Sequence, residues 1–227
     1  MQPYFLPYVG YFQLLAAVDE FVIYDNVKYT KKGWINRNRI LVSGKAMTFS
    51  LPLAKDSDKL TIGERKLAGE FSADKFLNQF LGAYRKAPYF EHVFPMLEKI
   101  VSFEHRNLFE FILNAVRLVA DYIGIDTPIT VSSSIPLDEA LRGEDRVIGI
   151  CKARGASEYI NPIGGQALYS KQDFASHRIS LRFIQSRYQE YVQGDNEFVP
   201  WLSIVDVLMH NAPESVSHYV YTGYDLV

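Results

Sequence analysis

Twice along this chain the hydrophobic residues change their period, and the two changes limit the folds open to it. Between residues 73 and 123 the apolar side chains recur every three or four positions. Phe76, Leu77, Phe80, Leu81 and Tyr84 make one stripe, and Val93, Met96, Leu97 and Ile100 a second after Pro88. Leu108, Ile112, Ala115, Val119 and Tyr122 make a third, stopped by Gly124. That spacing predicts helices with one face turned to a core. Ahead of the block the runs are short and β-prone. Phe21 to Tyr24 ends at Asp25-Asn26, and Arg39 to Val42 is followed by a Ser43-Gly44-Lys45 turn and a return over Met47 to Leu51. A short helix over Leu14 to Val18 is expected after a turn at Pro7. Beyond Gly124 the types alternate. Strands are expected at Ile129–Ser132, Ser157–Ile160 and Ile179–Ile184, and helices at Asp145–Arg154 and Trp201–Met209. Such alternation predicts an α/β protein, a single domain over 1–227 with a largely helical insertion or lobe at 73–123.

Composition narrows the function classes. A hydrophobic share of 48% against 22% charged residues suits a packed core rather than a disordered chain. The net charge of -2 supplies no overall basic field, so no nucleic-acid partner is expected. The single cysteine, Cys151, allows neither an intrachain disulfide nor a cysteine-rich zinc site, and its helical setting makes it a packing residue. The five histidines are scattered, so no metal is expected. The opening MQPYFLPYVGYF lacks the basic and apolar regions of a secretion signal. No apolar run reaches the ~20 residues a membrane span needs, so a soluble cytoplasmic protein is expected.

Four segments carry more polar or conformationally special residues than packing alone requires. In Gln2 to Phe12 two prolines stiffen the chain, Gly10 permits close approach, and Tyr8 and Tyr11 offer flat faces with hydrogen-bonding tips. From Asp25 to Ile40, Lys28, Lys31, Lys32, Arg37 and Arg39 surround Trp34 together with Asn36 and Asn38. Alternation along an extended Trp34–Ile40 would place Arg37 and Arg39 on one side and Trp34 and Asn38 on the other. Two guanidinium groups so placed can grip a diphosphate. In Tyr159 to Gln166, Asn161 precedes the Gly164-Gly165 pair, which can expose backbone amides without matching any phosphate-loop pattern. In Phe198 to Asn211, Asp206 interrupts an apolar stretch and needs a partner if buried. The chemistry these residues suggest is recognition of a phosphorylated small molecule. Gln2, Tyr8, Gly10, Tyr11, Lys32, Trp34, Arg37, Asn38, Arg39, Asn161, Gly164 and Gly165 are candidate binding residues, and Asp25 or Asp206 a candidate general base. No cofactor follows from the pattern.

Taken in order, QPYFLPYVGYF, FVIYDNV, KGWINRNRI, YINPIGGQALY and FVPWLSIVDVLMHNAPE resemble the WbqC-like protein family over nearly the whole chain. The resemblance implies a role in bacterial O-antigen and related surface-polysaccharide synthesis. An enzyme that modifies, or transfers a group to, a nucleotide-linked or lipid-linked sugar fits that role, with an amino sugar one acceptor. A non-catalytic binding or scaffold protein of the same pathway and a nucleotidyltransferase relative fit it as well. A nucleotide sugar is the expected partner. It also implies a short apolar strand ahead of the Gln-Pro pair, where Met1 alone stands, so that strand is expected to be absent or shortened. The turn Tyr8-Val9-Gly10-Tyr11 is similar to the His-x-Gly-His turn of nucleotidyltransferases, with tyrosine at both histidine positions. This implies a Rossmann-like, nucleotidyltransferase-type sheet, and makes adenylyl transfer itself less expected.

Overall fold

Short β-branched runs become strands and long periodic runs become helices across residues 1–227, all of which the computed structural model describes. In chain order the elements are α1 (Val9–Ala16), β1 (Phe21–Ile23), β2 (Arg37–Val42), β3 (Lys45–Ser50), α2 (Ala73–Tyr84), α3 (Phe90–Val101), α4 (Leu108–Ile123) and β4 (Ile129–Val131). They continue with α5 (Gly143–Ala153), β5 (Glu158–Pro162), α6 (Lys171–Ser176), β6 (Ser180–Ser186), α7 (Ile204–His210), α8 (Pro213–Thr222) and β7 (Tyr224–Leu226). Local chemistry sets many of the boundaries. Ser72 and Asn107 accept from the backbone N–H groups of Lys75 and Glu110 and so start α2 and α4. Gly124, at φ 84°, ends α4 in the left-handed region that glycine enters freely. Ser43 and Gly44 both take positive φ, as a two-residue hairpin turn between β2 and β3 requires.

The fold is mixed α/β, but its strands do not form the one sheet expected. They lie in three small sheets. β1 pairs in parallel with β4, β2 pairs antiparallel with β3, and β5 pairs in parallel with β6, whose other edge carries β7 antiparallel. Helix α1 packs against β5, β6 and α8, while α2 and α7 pack against β2. The helical block at 73–123 shares the largest core cluster with the N-terminal segment. Phe76 lies 5.6 Å from Phe5, and Phe80 lies 5.1 Å from Phe49, ring centre to ring centre. A smaller cluster joins α5, α6 and β6 through Val147, Cys151, Phe174 and Phe183. Cys151 is buried there, and burial pushes its thiol up to about 11, which keeps it unreactive at neutral pH. No helix is long and apolar enough to cross a membrane.

Met1 extends the pairing at β1. Its ammonium donates to the Val22 carbonyl at 2.6 Å and its carbonyl accepts from Tyr24 N–H at 2.8 Å. These two bonds set Met1 beside Ile23 in parallel register. The residue is partly exposed, but its ammonium is enclosed, and burial lowers its pKa to about 5 from an ordinary 8.0. A folded-state pKa below the unfolded one means the unfolded chain binds the extra proton between those values. The folding free energy, measured by urea titration, should therefore rise as pH is raised from about 5 to 8. A flat profile across that window would show that the amine keeps its charge in the folded state.

Candidate functional site

The site begins with a strained turn. Leu6 lies at φ 45° between Pro3 and Pro7, an arrangement that costs a non-glycine residue about 1–3 kcal/mol. Its carbonyl accepts from Asn38 Nδ2 at 2.8 Å and Ser203 Oγ at 2.7 Å, both buried. These donors tie the turn to β2 and to the start of α7, and they place Tyr8 at the mouth of α1.

Along β2 the faces alternate: Asn38 and Ile40 point inward, and Arg37 and Arg39 outward. The expectation that both arginines share a side holds, but Trp34 joins them. Both guanidinium carbons lie 5.6 Å from the Trp34 ring centre. The alternation fails at Trp34 because residues 31–36 form turns and the extended chain starts only at Arg37. The arginines have different duties. Arg37 donates to the carbonyls of Gly33 at 2.9 Å and Lys32 at 2.7 Å and so holds the Trp34 loop. Arg39 donates through Nη2 to the Trp201 carbonyl at 3.0 Å, while its Nε–H is shielded from solvent without a partner.

Arg39 opens on a cleft of about 480 Å³. One wall is Trp34 with the outer face of β2, and another is Tyr4, Pro7 and Tyr8. The floor comes from the carboxyl ends of β5 and β6, through Pro162, Ile163 and Gly164 and through Gln185 and Ser186. Trp201 closes the rim, its ring 6.1 Å from Tyr8. Trp34 and Trp201 are 44% and 51% exposed, so two large aromatic faces remain open to a ligand. Trp201 also sits at φ 60°, unusual for a bulky residue. Trp201→Gly should relieve about 1 kcal/mol of strain while removing one aromatic face. The expected result is unchanged or raised thermal stability with ligand affinity down about tenfold, read by melting and titration side by side.

Of the residues singled out from sequence, Tyr8, Trp34, Asn38, Arg39 and Gly164 line this cleft. Gly164 has open space around its α-carbon, whereas Gly165 packs against Asn161. Gly10 stands behind the wall: a Cβ there would lie 2.4 Å from the Tyr8 ring and 2.5 Å from Ser186 Oγ. Gly10→Ala should push both cleft residues aside and cost about 1–3 kcal/mol. A drop of less than 0.5 kcal/mol, on the order of ordinary surface changes, would show that the wall has room to spare.

The other candidates lie away from this cleft. Tyr11 is buried, donating to the Gln2 carbonyl at 3.2 Å, so both serve the turn rather than the cleft. Lys32 contributes its carbonyl to Arg37, and its side chain is no part of the lining. Asn161 lines a separate cavity and accepts from Tyr159 Oη at 3.1 Å. Asp25 accepts from Ser132 Oγ and the Ser133 N–H at 3.0 Å each, fixing the end of β1 to the end of β4. Asp206 is fully buried. It accepts from Tyr84 Oη at 2.8 Å, and from Tyr191 Oη and Gln193 Nε2 at 2.7 Å each. Neither carboxylate reaches the cleft, because each is already spent on donors between distant segments. The arginines pair with neither. No Asp, Glu, His or Cys lines the cleft. Burial lifts the Tyr4 and Tyr8 hydroxyls above their ordinary values, so both stay protonated donors at neutral pH. Sequence reasoning passed over Gln185 and Ser186 altogether, and named neither Ile163 nor Trp201 as a candidate although both lie in segments it singled out.

The profile of the WbqC-like protein family matches residues 2–218. The chain belongs to that family. A protein of Mycobacterium tuberculosis, uncharacterized protein Rv1507c, is 28% identical to this WbqC-like chain over 224 residues, covering 97% of it and 96% of the relative. No solved structure matches.

Proposed function

We propose that this WbqC-like protein recognises a phosphorylated sugar, carried on a nucleotide or a lipid, in the cleft around Arg39, and serves surface-polysaccharide synthesis. The observation that supports this reading most is the placing of the Arg39 guanidinium and two half-exposed tryptophan faces on the same cleft. A phosphate suits the positive charge of Arg39, and the apolar face of a sugar or base suits the indoles. The floor lies at the carboxyl ends of the parallel strands β5 and β6, where ligands bind in open α/β sheets. A Rossmann-like relationship to nucleotidyltransferases is consistent with that placement.

Two roles fit within this reading. Group transfer to an amino sugar would need its base from the substrate itself, since the Tyr8 hydroxyl stays protonated at neutral pH. The carboxylate-free lining favours the second role, recognition without chemistry, as in a binding or scaffold component. Thermal shift and calorimetric titration with uridine and thymidine diphosphate sugars, the free sugars and inorganic pyrophosphate test the reading. Diphosphate sugars are expected to bind most tightly. Equal, Arg39-independent responses to all of them would overturn it. Turnover of an amino-sugar nucleotide with an acyl donor would decide for transfer.

A further inference from the structure

Arg65 is the only basic side chain buried in this protein, at 3% exposure. Its Nε and Nη2 are shielded from solvent and make no hydrogen bond. The guanidinium lies 4.7 Å over the Tyr29 ring, a contact that returns only part of the hydration lost on burial. The one carboxylate paired with it, Asp58, stops 3.8 Å from Nη2, beyond hydrogen-bond reach. Asp58 is held instead by Lys31, whose Nζ lies 2.6 Å from Oδ1. Backbone pairing gathers these residues. Tyr29 N–H donates to the Leu60 carbonyl and Ile62 N–H to the Val27 carbonyl, which sets Lys28 opposite Thr61 and beside the Asp58 loop. The Lys31 hydrogen bond first, then the charges of Lys31, Arg65 and Lys28, hold the Asp58 carboxyl below its ordinary value. Three cations thus converge on one carboxylate. Two exposed lysines and an aspartate would by themselves be an ordinary solvated cluster. A buried guanidinium without a partner is rare, and a bound ion is one of the usual reasons for it.

We infer that Lys28, Lys31 and Arg65 form a second anion site, for a phosphate group, in which Asp58 stands as the resident counter-ion. None of these residues lines the cleft, so the site is separate from it, although Lys31 shares a loop with Trp34. Three positive charges against one negative leave an excess of two, which a dianionic phosphate group matches. Shape argues the same way. The two oxygens of a carboxylate lie in one plane with their carbon, and Asp58 satisfies Lys31 while leaving Arg65 short. The oxygens of a phosphate point to the corners of a tetrahedron, so one can take Lys31 Nζ while another takes Arg65 Nη2. Entry requires Asp58 to swing outward, and its side chain is already 65% exposed. Asp58 therefore competes with the ligand for Lys31 and Arg65, and removing its charge strengthens the site.

Replacing Arg65 itself endangers folding, so the test uses the two exposed residues, Asp58 and Lys31. Inorganic phosphate at pH 8, where it is dianionic, is titrated against sodium chloride at equal ionic strength, with melting temperature and backbone amide NMR shifts as readouts. In the unaltered chain phosphate should move the amide signals of Lys31, Asp58 and Arg65 to saturation, and chloride should not. Asp58→Asn removes the competing carboxylate and should bind phosphate about tenfold more tightly, with a larger rise in melting temperature. Lys31→Ala should bind it about tenfold more weakly. Arg39→Ala should leave all three amide responses unchanged, so failure of the cleft reading would not reach this one. Asp58→Asn without a gain in affinity overturns the inference, and so does an equal response to chloride, which would mean charge screening alone. Shifts confined to the cleft residues would assign the phosphate to Arg39 and overturn it as well.

Discussion

Replacing Asp206 by alanine is expected to lower folding stability by about 3–4 kcal/mol, because three donors lose their acceptor in a place water does not reach. Tyr84, Tyr191 and Gln193 all converge on the one carboxylate. Burial first, and the Asp206 charge second, hold the Tyr84 and Tyr191 hydroxyls far above their ordinary range, so both keep the proton they donate to Asp206. Tyr84 Oη also accepts from the Leu41 N–H, so its position matters to β2. Asp206→Asn keeps the volume but turns one acceptor into a donor, and about 2 kcal/mol is expected. For a chain this long the alanine variant should melt roughly 6–16 °C lower. Denaturant and thermal unfolding of both variants give the answer. Losses under 1 kcal/mol would mean that the network is not what Asp206 is for, and would restore it as a candidate base.

Arg39→Ala should weaken binding of a diphosphate sugar by about 10- to 100-fold, the value of one or two charge-assisted hydrogen bonds. Arg39→Lys keeps the charge and loses the fork, so about tenfold is expected. Arg37→Lys makes a useful contrast. Its guanidinium is engaged by the carbonyls of Lys32 and Gly33, so its loss should loosen the Trp34 loop and weaken binding only a few-fold, by roughly 1 kcal/mol or less. Calorimetry at low and high salt separates the two, since only loss of a phosphate contact should flatten the salt dependence. Unchanged affinity in both Arg39 variants, with folding intact, would remove the phosphate clamp from the cleft.

The helices of residues 73–123 were legible because their apolar period is long and uninterrupted, and the β2–β3 hairpin because Ser43-Gly44 is strong turn chemistry. Three elements were not: α6 is only six residues long, α8 carries polar residues through most of its turns, and β7 is three residues held by pairing with β6 rather than by its own pattern. The split sheet was illegible for a different reason, since strand periodicity says which segments are extended but not which edges meet. At the site, the outward face of Arg37 and Arg39 followed from alternation. The fate of Asp206 did not, because one acid in an apolar helix reads the same whether it awaits a substrate or two tyrosines, one of them 122 positions away. Tyr11 misled because its ring, not its hydroxyl, decides its place in the core.

The far end of the chain carries a consequence for handling the protein. Val227 and Phe183 exchange two backbone hydrogen bonds, N–H to carbonyl in each direction at 2.8 and 2.9 Å, and β7 thereby covers the outer edge of β6. The strand it covers holds Leu181, Phe183 and Ile184, all buried. Trimming β7 would bare a β-prone, largely apolar edge, the template on which chains add to one another and come out of solution. Asp225, bound to Arg187, also keeps a charge beside that edge. Tyr224 to Val227 thus work as an aggregation guard, and protein shortened there should scatter light on standing while the full chain stays clear.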